Sequence, residues 1–476
     1  MKAAIPFIGP SYQARSLNVD AQRALNCYVE MDNASPRAPL ALYGTPGLRR
    51  VATATNGLGC RGAIAEGGYA WLVMGAYVYR MDSSYNLTSL GTIGTSANPV
   101  GLASNGLELL IVDGASGWIV NVAAATLTQI TDVDFPSGVK RATYQDGYFV
   151  VCGDDSEQFY ISQLLNGGSW DGLDVASAQG APDNTIGVIS DHRELWLFGN
   201  TSAEIWINTG NADFPFERTG NAFVEEGCAS AATVAKADNT VFWLGADDRG
   251  SGIVWRANGY TPIRISTHAV ETAFAGYTLS DAWAMTYQQE GHSFYVLTFP
   301  TSGKTWVYDA ATQLWHERGY RDTTTGAIGQ WRGAGHCMLG GLHIVGDYLD
   351  GRIYVLDLDY YTDDGDAIVR LRAAQTQAQL QSRLFYSSLQ VDMETGVGLV
   401  SGQGSDPQLM LRYSSDGGHT WSSLKTATVG KIGEYSARCK FGRLGAGRNR
   451  VFEISMSDPV KFAVMGAIVD AEEGSA

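Results

Sequence analysis

The sequence predicts an all-β protein: a β-propeller of six or seven blades with an extended N-terminal arm and a C-terminal β-sandwich-like domain. Three observations predict it. A unit of apolar strand, Gly- or Asp-containing turn and second strand recurs seven times, at roughly the 40–50-residue period of a propeller blade. Glycine is abundant, 57 of 476 residues, without a short repeat. Aromatic residues make up 11% of the chain. Tight turns need the positive φ that glycine tolerates, and aromatic side chains suit a pleated surface.

The repeats come in order along residues 51–375. They are GYAWLVMGAYVYRMD from residue 68, GLELLIVDGASGWIVNV from 106 and GYFVVCGDDSEQFYISQ from 147. RELWLFGNTSAEIWINTG follows from 193, then TVFWLGADDRGSGIVWRANG from 240. HSFYVLTFPTSGKTWVYD from 292 and LHIVGDYLDGRIYVLD from 342 complete the set. Each reads as a hairpin. One such sheet leaves both faces bare, whereas radial stacking covers them and ring closure protects the edges. The segment 305–318, TWVYDAATQLWHER, resembles the end of a Kelch-type blade, which would set Tyr308 and Trp315 between blades. The stretch 155–185 reads as a long inter-strand loop and a contact surface.

The flanks differ. Residues 1–50 hold Pro and polar residues with little periodicity and read as an arm with a first strand. Residues 376–476 carry alternating strands, LQVDME, PQLMLRYS, RVFEISMS and VKFAVMGAIVD, and read as a separate small sandwich. The stretch DAIVRLRAAQTQAQLQSR between them fits a short helix by composition and a strand by its alternating start.

Composition narrows the function. Hydrophobic residues are 45% and charged residues 17%, as in a globular chain, with a formal net charge of −16. Phosphate contacts dominate nucleic-acid affinity and require basic patches. Beyond Arg49-Arg50 and Arg443, Arg448 and Arg450 the chain offers none, so DNA would pass an acidic wall without sticking. The six cysteines are scattered with no C-x-x-C pair, which points to buried thiols and not to zinc. The start, with Pro6 and Pro10 breaking a short apolar stretch, is not a signal peptide, and no apolar run reaches 18 residues. No membrane binding and no cofactor are expected, and the chain is expected to be made and kept in the cytosol unless a larger assembly carries it out.

The sharpest local motif is an Asp-box: Ser414, Asp416, Gly418, Thr420 and Trp421. The Asp side chain caps a hairpin turn, Gly418 permits the bend and Trp421 packs beneath it. Asp-boxes occur in sialidases, usually in several blades, so a glycan hydrolase and a receptor- or glycan-binding propeller are the competing classes. A hydrolase needs two carboxylates close together at a pocket. The acidic run Asp357, Asp359, Asp363, Asp364 and Asp366 suggests calcium, but Tyr361 stands at the third loop position and no Glu closes it. Asp364-Gly365 reads better as a tight turn. No nucleophile elbow, zincin motif or P-loop is present, and His268, His292, His316, His336, His343 and His419 are dispersed. No catalytic, cofactor-binding or metal residues are assigned.

Several stretches resemble the tail hub or nozzle proteins of short-tailed bacteriophages, the packaged DNA stabilization family. They are SLNVDAQRALNCYVE (16–30), LALYGTPGLRR (40–50), ELWLFGNTSAEIWINTGNADFPFER (194–218) and GYTPIRISTHAVE (259–271). LQVDMETGVG (389–398), the Asp-box and GEYSARCKFGRLGAGRNRVFEISMSDPVK (433–461) continue the likeness. The resemblance spans almost the whole chain, and the order of the motifs carries it. It implies a structural virion protein without catalytic residues, a ring of usually six copies below the portal and its head-to-tail adaptor. That ring would continue the DNA channel, close the filled head, meet a tail needle or plug, dock fibres or spikes, and serve genome retention and ejection. Ring contacts are expected from segments 1–50 and 376–476.

Overall fold

The computed structural model describes residues 2–32, 39–153, 156–247, 249–378 and 382–474. Seven four-stranded antiparallel units form a closed ring: blades 1 (60–92), 2 (101–129), 3 (142–177), 4 (185–224), 5 (235–264), 6 (283–321) and 7 (333–357). The seven hairpins of the sequence are the middle two strands of the seven blades. Blade 7 has three strands of its own. Its fourth is Gly47–Thr53, which pairs antiparallel with Arg352–Asp357, Leu48 opposite Leu356. An early strand thereby closes the ring on its last blade.

Strand alternation explains the ring. Successive side chains point to opposite faces, so each middle strand feeds two neighbours. In blade 4, Leu195 and Leu197 pack with Val150 and Ile161 of blade 3. Trp196 and Phe198 pack with Val241 and Trp243 of blade 5. Phe242 and Leu244 then meet Tyr295 and Leu297 of blade 6, while Phe294 and Val296 meet Val345 and Tyr354 of blade 7. Ile344 and Val355 of blade 7 reach Ala70 and Leu72 of blade 1. Blades 1 and 2 share Trp71, Val73, Leu109 and Ile111, and blades 2 and 3 share Leu110, Val112, Phe149 and Val151. With both faces covered, the middle strands carry continuous apolar stretches, such as Phe294–Leu297 within His292–Phe299, a strand buried throughout. Outer strands such as Thr261–Arg264 are largely exposed.

The flanks form one β-sandwich. One sheet runs Cys27–Met31, Leu40–Gly44, Ala463–Glu473, Leu384–Met393 and Cys439–Gly442, with Lys2–Ile5 along Ala463–Glu473. The other runs Ala21–Leu25, Arg370–Ala373, Asn449–Met456, Gln408–Ser414 and Lys425–Thr428. Their shared core includes Phe7, Cys27, Val29, Leu42, Leu389 and Phe452.

The structure departs from the sequence reading in three places. The described residues of 1–50 form more than an extended arm with a first strand: they supply strands to both sandwich sheets and begin the closing strand of blade 7, pairings that sequence separation hides. The sandwich is accordingly not confined to 376–476, since Arg370–Ala373 and the N-terminal strands belong to it. The expected loop at 155–185 is mostly strand. Gln158–Gln163 pairs with Asn166–Ser177 through two register shifts, and these bulges, rich in Gly and Asp, mask the alternation. The undecided stretch 366–383 holds short strands at Asp366–Ala367, Arg370–Ala373 and Gln377–Ala378. Its residues 379–381 lie outside the described residues, as do Asp154 and Asp155 of the third hairpin and 33–38 of the expected arm.

Candidate functional site: the propeller–sandwich junction

Blade 6 and the sandwich are one continuous sheet. The outer strand of blade 6, Leu314–Arg321, meets Ala21–Leu25 in parallel at Leu25 opposite Glu317. Side chains reinforce the seam. Arg23 donates from Nε and Nη2 to the two carboxylate oxygens of Glu317, both at 2.8 Å, the paired geometry that makes such bonds strong. Asn26, at φ 53°, donates to the carbonyls of Gly319 and Val369 and accepts from Gly319 N–H. Arg318 lies 3.7 Å over the Trp331 ring and donates to Pro46 O and Tyr287 Oη.

His292 carries the same link. Its Nδ1 is 2.7 Å from Asp309 Oδ2 in blade 6, and its Nε2 is 2.9 Å from Glu30 Oε2 in the sandwich. Burial opposes the imidazolium, but its hydrogen bonds to Asp309 and Glu30 outweigh it and push the group up to about 9. His316, fully buried nearby, is pushed down to about 3, by burial first. The sequence reading left these residues dispersed. The hairpin register could have suggested Asp309, because Phe294 stands opposite it; nothing local pointed to Glu30. His336 and His343 also come together, Nε2 to Nδ1 at 3.0 Å with stacked rings. His268 and His419 are exposed.

The Asp-box residues assemble as a turn after Gln408–Ser414 in the sandwich. Ser414 Oγ donates to Asp416 Oδ1 at 2.6 Å and accepts from Gly418 N–H at 2.8 Å. Asp416 accepts from the amide and hydroxyl of Thr420. The Ser414 hydroxyl first, then Thr420, holds the Asp416 carboxyl well below the usual carboxylate range. Gly418 takes φ 99°, a region that suits glycine. Trp421 lies under Arg412, 4.5 Å from its guanidinium. The carboxylate is saturated by the turn.

The acidic run disperses onto cations and a phenol. Asp357 accepts from Arg49, Asp364 from Arg352, with Arg50 at 3.2 Å, and Asp366 from Tyr320. Asp363 is buried, which pushes its carboxyl up to about 7. Asp364 and Gly365, at φ 54° and 93°, form a two-residue turn between Thr362–Asp363 and Asp366–Ala367. Both central residues at positive φ mark the I′ type. Among the described residues no three His, Cys, Asp or Glu side chains gather to hold a metal, and no helix is long and apolar enough to cross a membrane. All six cysteines are buried. Arg450, counted above as part of a small basic group, is also buried and stacks on Tyr413 at 4.2 Å.

Comparison with known proteins adds the family. Residues 16–361 match the family described as bacteriophage P22 Gp10, beta-propeller, and residues 371–472 match bacteriophage P22 Gp10, beta-sandwich. No curated protein matches the chain. Among solved structures, the chain is 11% identical to the extracellular domain of a hybrid two component system from B. thetaiotaomicron, covering 65% of this chain and 40% of that one, with a TM-score of 0.45. The Neurospora crassa Pan2 WD40 domain is 7% identical over 69% of this chain and 97% of that one, TM-score 0.44. The WD40 propeller of Doa1 is 13% identical over 65% and 96%, TM-score 0.41. These distant likenesses add no argument to the family match. With both of its domains matched in order, the chain belongs to the bacteriophage P22 Gp10 family and is a structural protein of a phage tail.

Proposed function

We propose that this chain is the subunit of a homo-oligomeric tail hub or nozzle ring, of six copies as in the resemblance above, that continues the DNA channel below the portal. The observation that carries the proposal is the match of propeller and sandwich together to the Gp10 family. The ring closes the filled head, retains the genome until ejection, and offers docking surfaces to the adaptor, the tail plug or needle and the fibres or spikes. It assembles in the host cytoplasm and acts without catalysis. A net charge of −16 suits a lumen that repels DNA.

A ring of identical chains needs two different patches on each subunit. Exposed apolar side chains supply candidates in two places: Val133 and Leu173, 94% and 86% exposed, on the flank of blades 2 and 3, and Val400 and Tyr435 on loops of the sandwich. The seam between blade 6 and the sandwich would keep these patches at fixed separation. The glycan-hydrolase reading gains nothing from the Asp-box, whose carboxylate is spent on its own turn. Native mass measurement of the purified protein tests the proposal. A closed ring of identical chains supports it; a monomer at all concentrations, or release of sugar from a glycan, overturns it.

A further inference from the structure

Among the described residues the three most exposed large apolar side chains, Val133, Leu173 and Val400, fall in two patches. The first lies on the outer flank of blades 2 and 3. Asp132 Oδ2 accepts from Trp170 N–H at 3.0 Å, and the Phe135 and Trp170 rings meet edge-on at 5.1 Å. The loop after blade 2 is thereby fixed against the outer strand of blade 3, Asn166–Ser177, with Val133 and Leu173 exposed. The second lies on the sandwich, where two loops run side by side. Gly396 N–H donates to Val429 O at 3.1 Å, Gly433 N–H to Gly396 O at 3.2 Å, and the Thr395 hydroxyl to Tyr435 O at 2.9 Å. These loops expose Val400, Ile432 and Tyr435.

Topology sets the patches at opposite ends of the chain. In a closed ring of seven, the junction of blades 2 and 3 stands diametrically opposite blade 6. The sandwich continues blade 6 outward. From Leu314–Arg321 the sheet runs through Ala21–Leu25, Arg370–Ala373, Asn449–Met456 and Gln408–Ser414 to Lys425–Thr428. Five steps of about 4.8 Å set that last strand roughly 24 Å from blade 6 along the sheet. The two loops precede Gln408–Ser414 and follow Lys425–Thr428, so their patch is at the far edge.

Charge distinguishes the patches as well. Asp132 and Asp134 flank Val133, and Asp134 lies against Gly172, between Asp171 and Leu173. With Asp174, these carboxylates form no ion pair among the described residues. Burial first, then Asp171, holds the Asp174 carboxyl above its ordinary value, so the flank is short of positive charge. The sandwich loops carry Lys431 and Arg438, both exposed and likewise without an ion pair among the described residues. Of the carboxylates beside them, Glu394 is paired with Lys461 at 2.9 Å, and Glu434 accepts from Lys431 N–H at 2.9 Å.

We propose that each patch is the partner of the other on a second copy of this chain: the sandwich loops of one subunit dock on the flank of blades 2 and 3 of the next. This docking rests on the ring reading above. A ring of identical chains needs two different patches that fit each other, and apolar centres flanked by opposite charges supply contact, steering and register. With the patches at opposite ends, the chain repeats head to tail. The continuous sheet between blade 6 and the sandwich fixes the angle from one copy to the next.

Charge reversal tests the docking by sedimentation of the full-length protein. Asp134→Lys with Asp171→Lys reverses the flank, and Lys431→Glu with Arg438→Glu reverses the loops. All four positions are exposed, and circular dichroism checks that the variants fold. Each reversed protein alone should associate at least about tenfold more weakly than wild type, since like charges then face each other. An equimolar mixture of the two should recover oligomers, because every contact of an alternating ring joins two native patches or two reversed ones. A monomeric wild type overturns the ring reading and the docking with it. A wild-type oligomer that both reversed proteins retain unchanged, or a mixture that stays dissociated, overturns the docking and leaves the ring reading in place. If one reversed protein fails to fold, the other decides against wild type by the same criterion.

Discussion

At the scale of single residues, His292 makes the junction sensitive to pH. Its folded-state pKa is raised to about 9, above the ordinary value of about 6.5. The charged form is therefore favoured by folding: its stabilisation is complete below about pH 6.5 and is lost as pH rises through 9. The upper bound is about 3 kcal/mol, lowered because Glu30 is a third exposed to solvent. His316 acts oppositely. Held neutral and pushed down to about 3, it penalises the fold as pH falls below about 6.5. The expected result is a melting temperature highest near neutrality, with an alkaline fall between pH 7 and 10 that His292→Gln flattens. Identical alkaline limbs in both proteins would remove His292 from the account. In the Asp-box, Ser414→Ala deletes a buried hydroxyl that both donates and accepts, and should cost about 1–2 kcal/mol in denaturant unfolding. Asp416→Asn, which keeps an acceptor for Thr420, should lower the melting temperature less than Asp416→Ala.

At the scale of elements, blade interfaces and the sandwich's N-terminal strands are the vulnerable parts. Trp315 is 1% exposed, packed with Phe274 and Tyr308, and donates from Nε1 to Ile265 O at 2.8 Å. Trp315→Ala should destabilise by about 3–5 kcal/mol, read as a shift of the urea midpoint. Deletion of residues 1–30 removes Lys2–Ile5 and Ala21–Leu25 and nearly all of Cys27–Met31. It also strips Arg372 of its acceptors Phe7 O, Pro10 O and Gln22 Oε1, and leaves Glu317 without Arg23. The propeller keeps its closing strand Gly47–Thr53. Limited proteolysis of the truncated protein should therefore digest the sandwich while the seven blades resist. A protease-resistant sandwich would show that the N-terminal strands are dispensable to it.

At the scale of the whole molecule, charge and surface decide what the chain can do in an assembly. With 49 acidic against 33 Lys and Arg residues, and with Arg23, Arg49, Arg318, Arg332, Arg352 and Arg412 committed to internal partners, little positive charge is left to grip a phosphate backbone. Purified protein should show no retention of duplex DNA in gel shift at physiological salt, and no steep salt dependence at lower salt. Tight binding would end the passive-channel account. Leu173→Asp and Val400→Asp, each on an exposed position, should leave the free energy of unfolding within about 0.5 kcal/mol of wild type, as surface changes do, while lowering the oligomer fraction in sedimentation.

How far the sequence reached follows from the range of the forces involved. The seven hairpins were legible because each is local: an apolar run, a turn residue and a second run read within about 20 residues, and period-two alternation sets which face is buried. The Asp-box and the Asp364-Gly365 turn were legible for the same reason, since their hydrogen bonds join residues two to four apart. Blade number was open between six and seven until the ring closed, because closure depends on Gly47–Thr53 meeting Arg352–Asp357 across 300 residues of chain. The sandwich drew its N-terminal half from equally far away: Ala21–Leu25 against Arg370–Ala373, and Lys2–Ile5 against Ala463–Glu473. The link of His292 with Glu30 had no local signature either. Backbone propensity and alternation act over neighbouring residues, so they determined the strands and turns. Which strands pair, and which charges face one another, depends on long-range packing, and only the tertiary structure decided it.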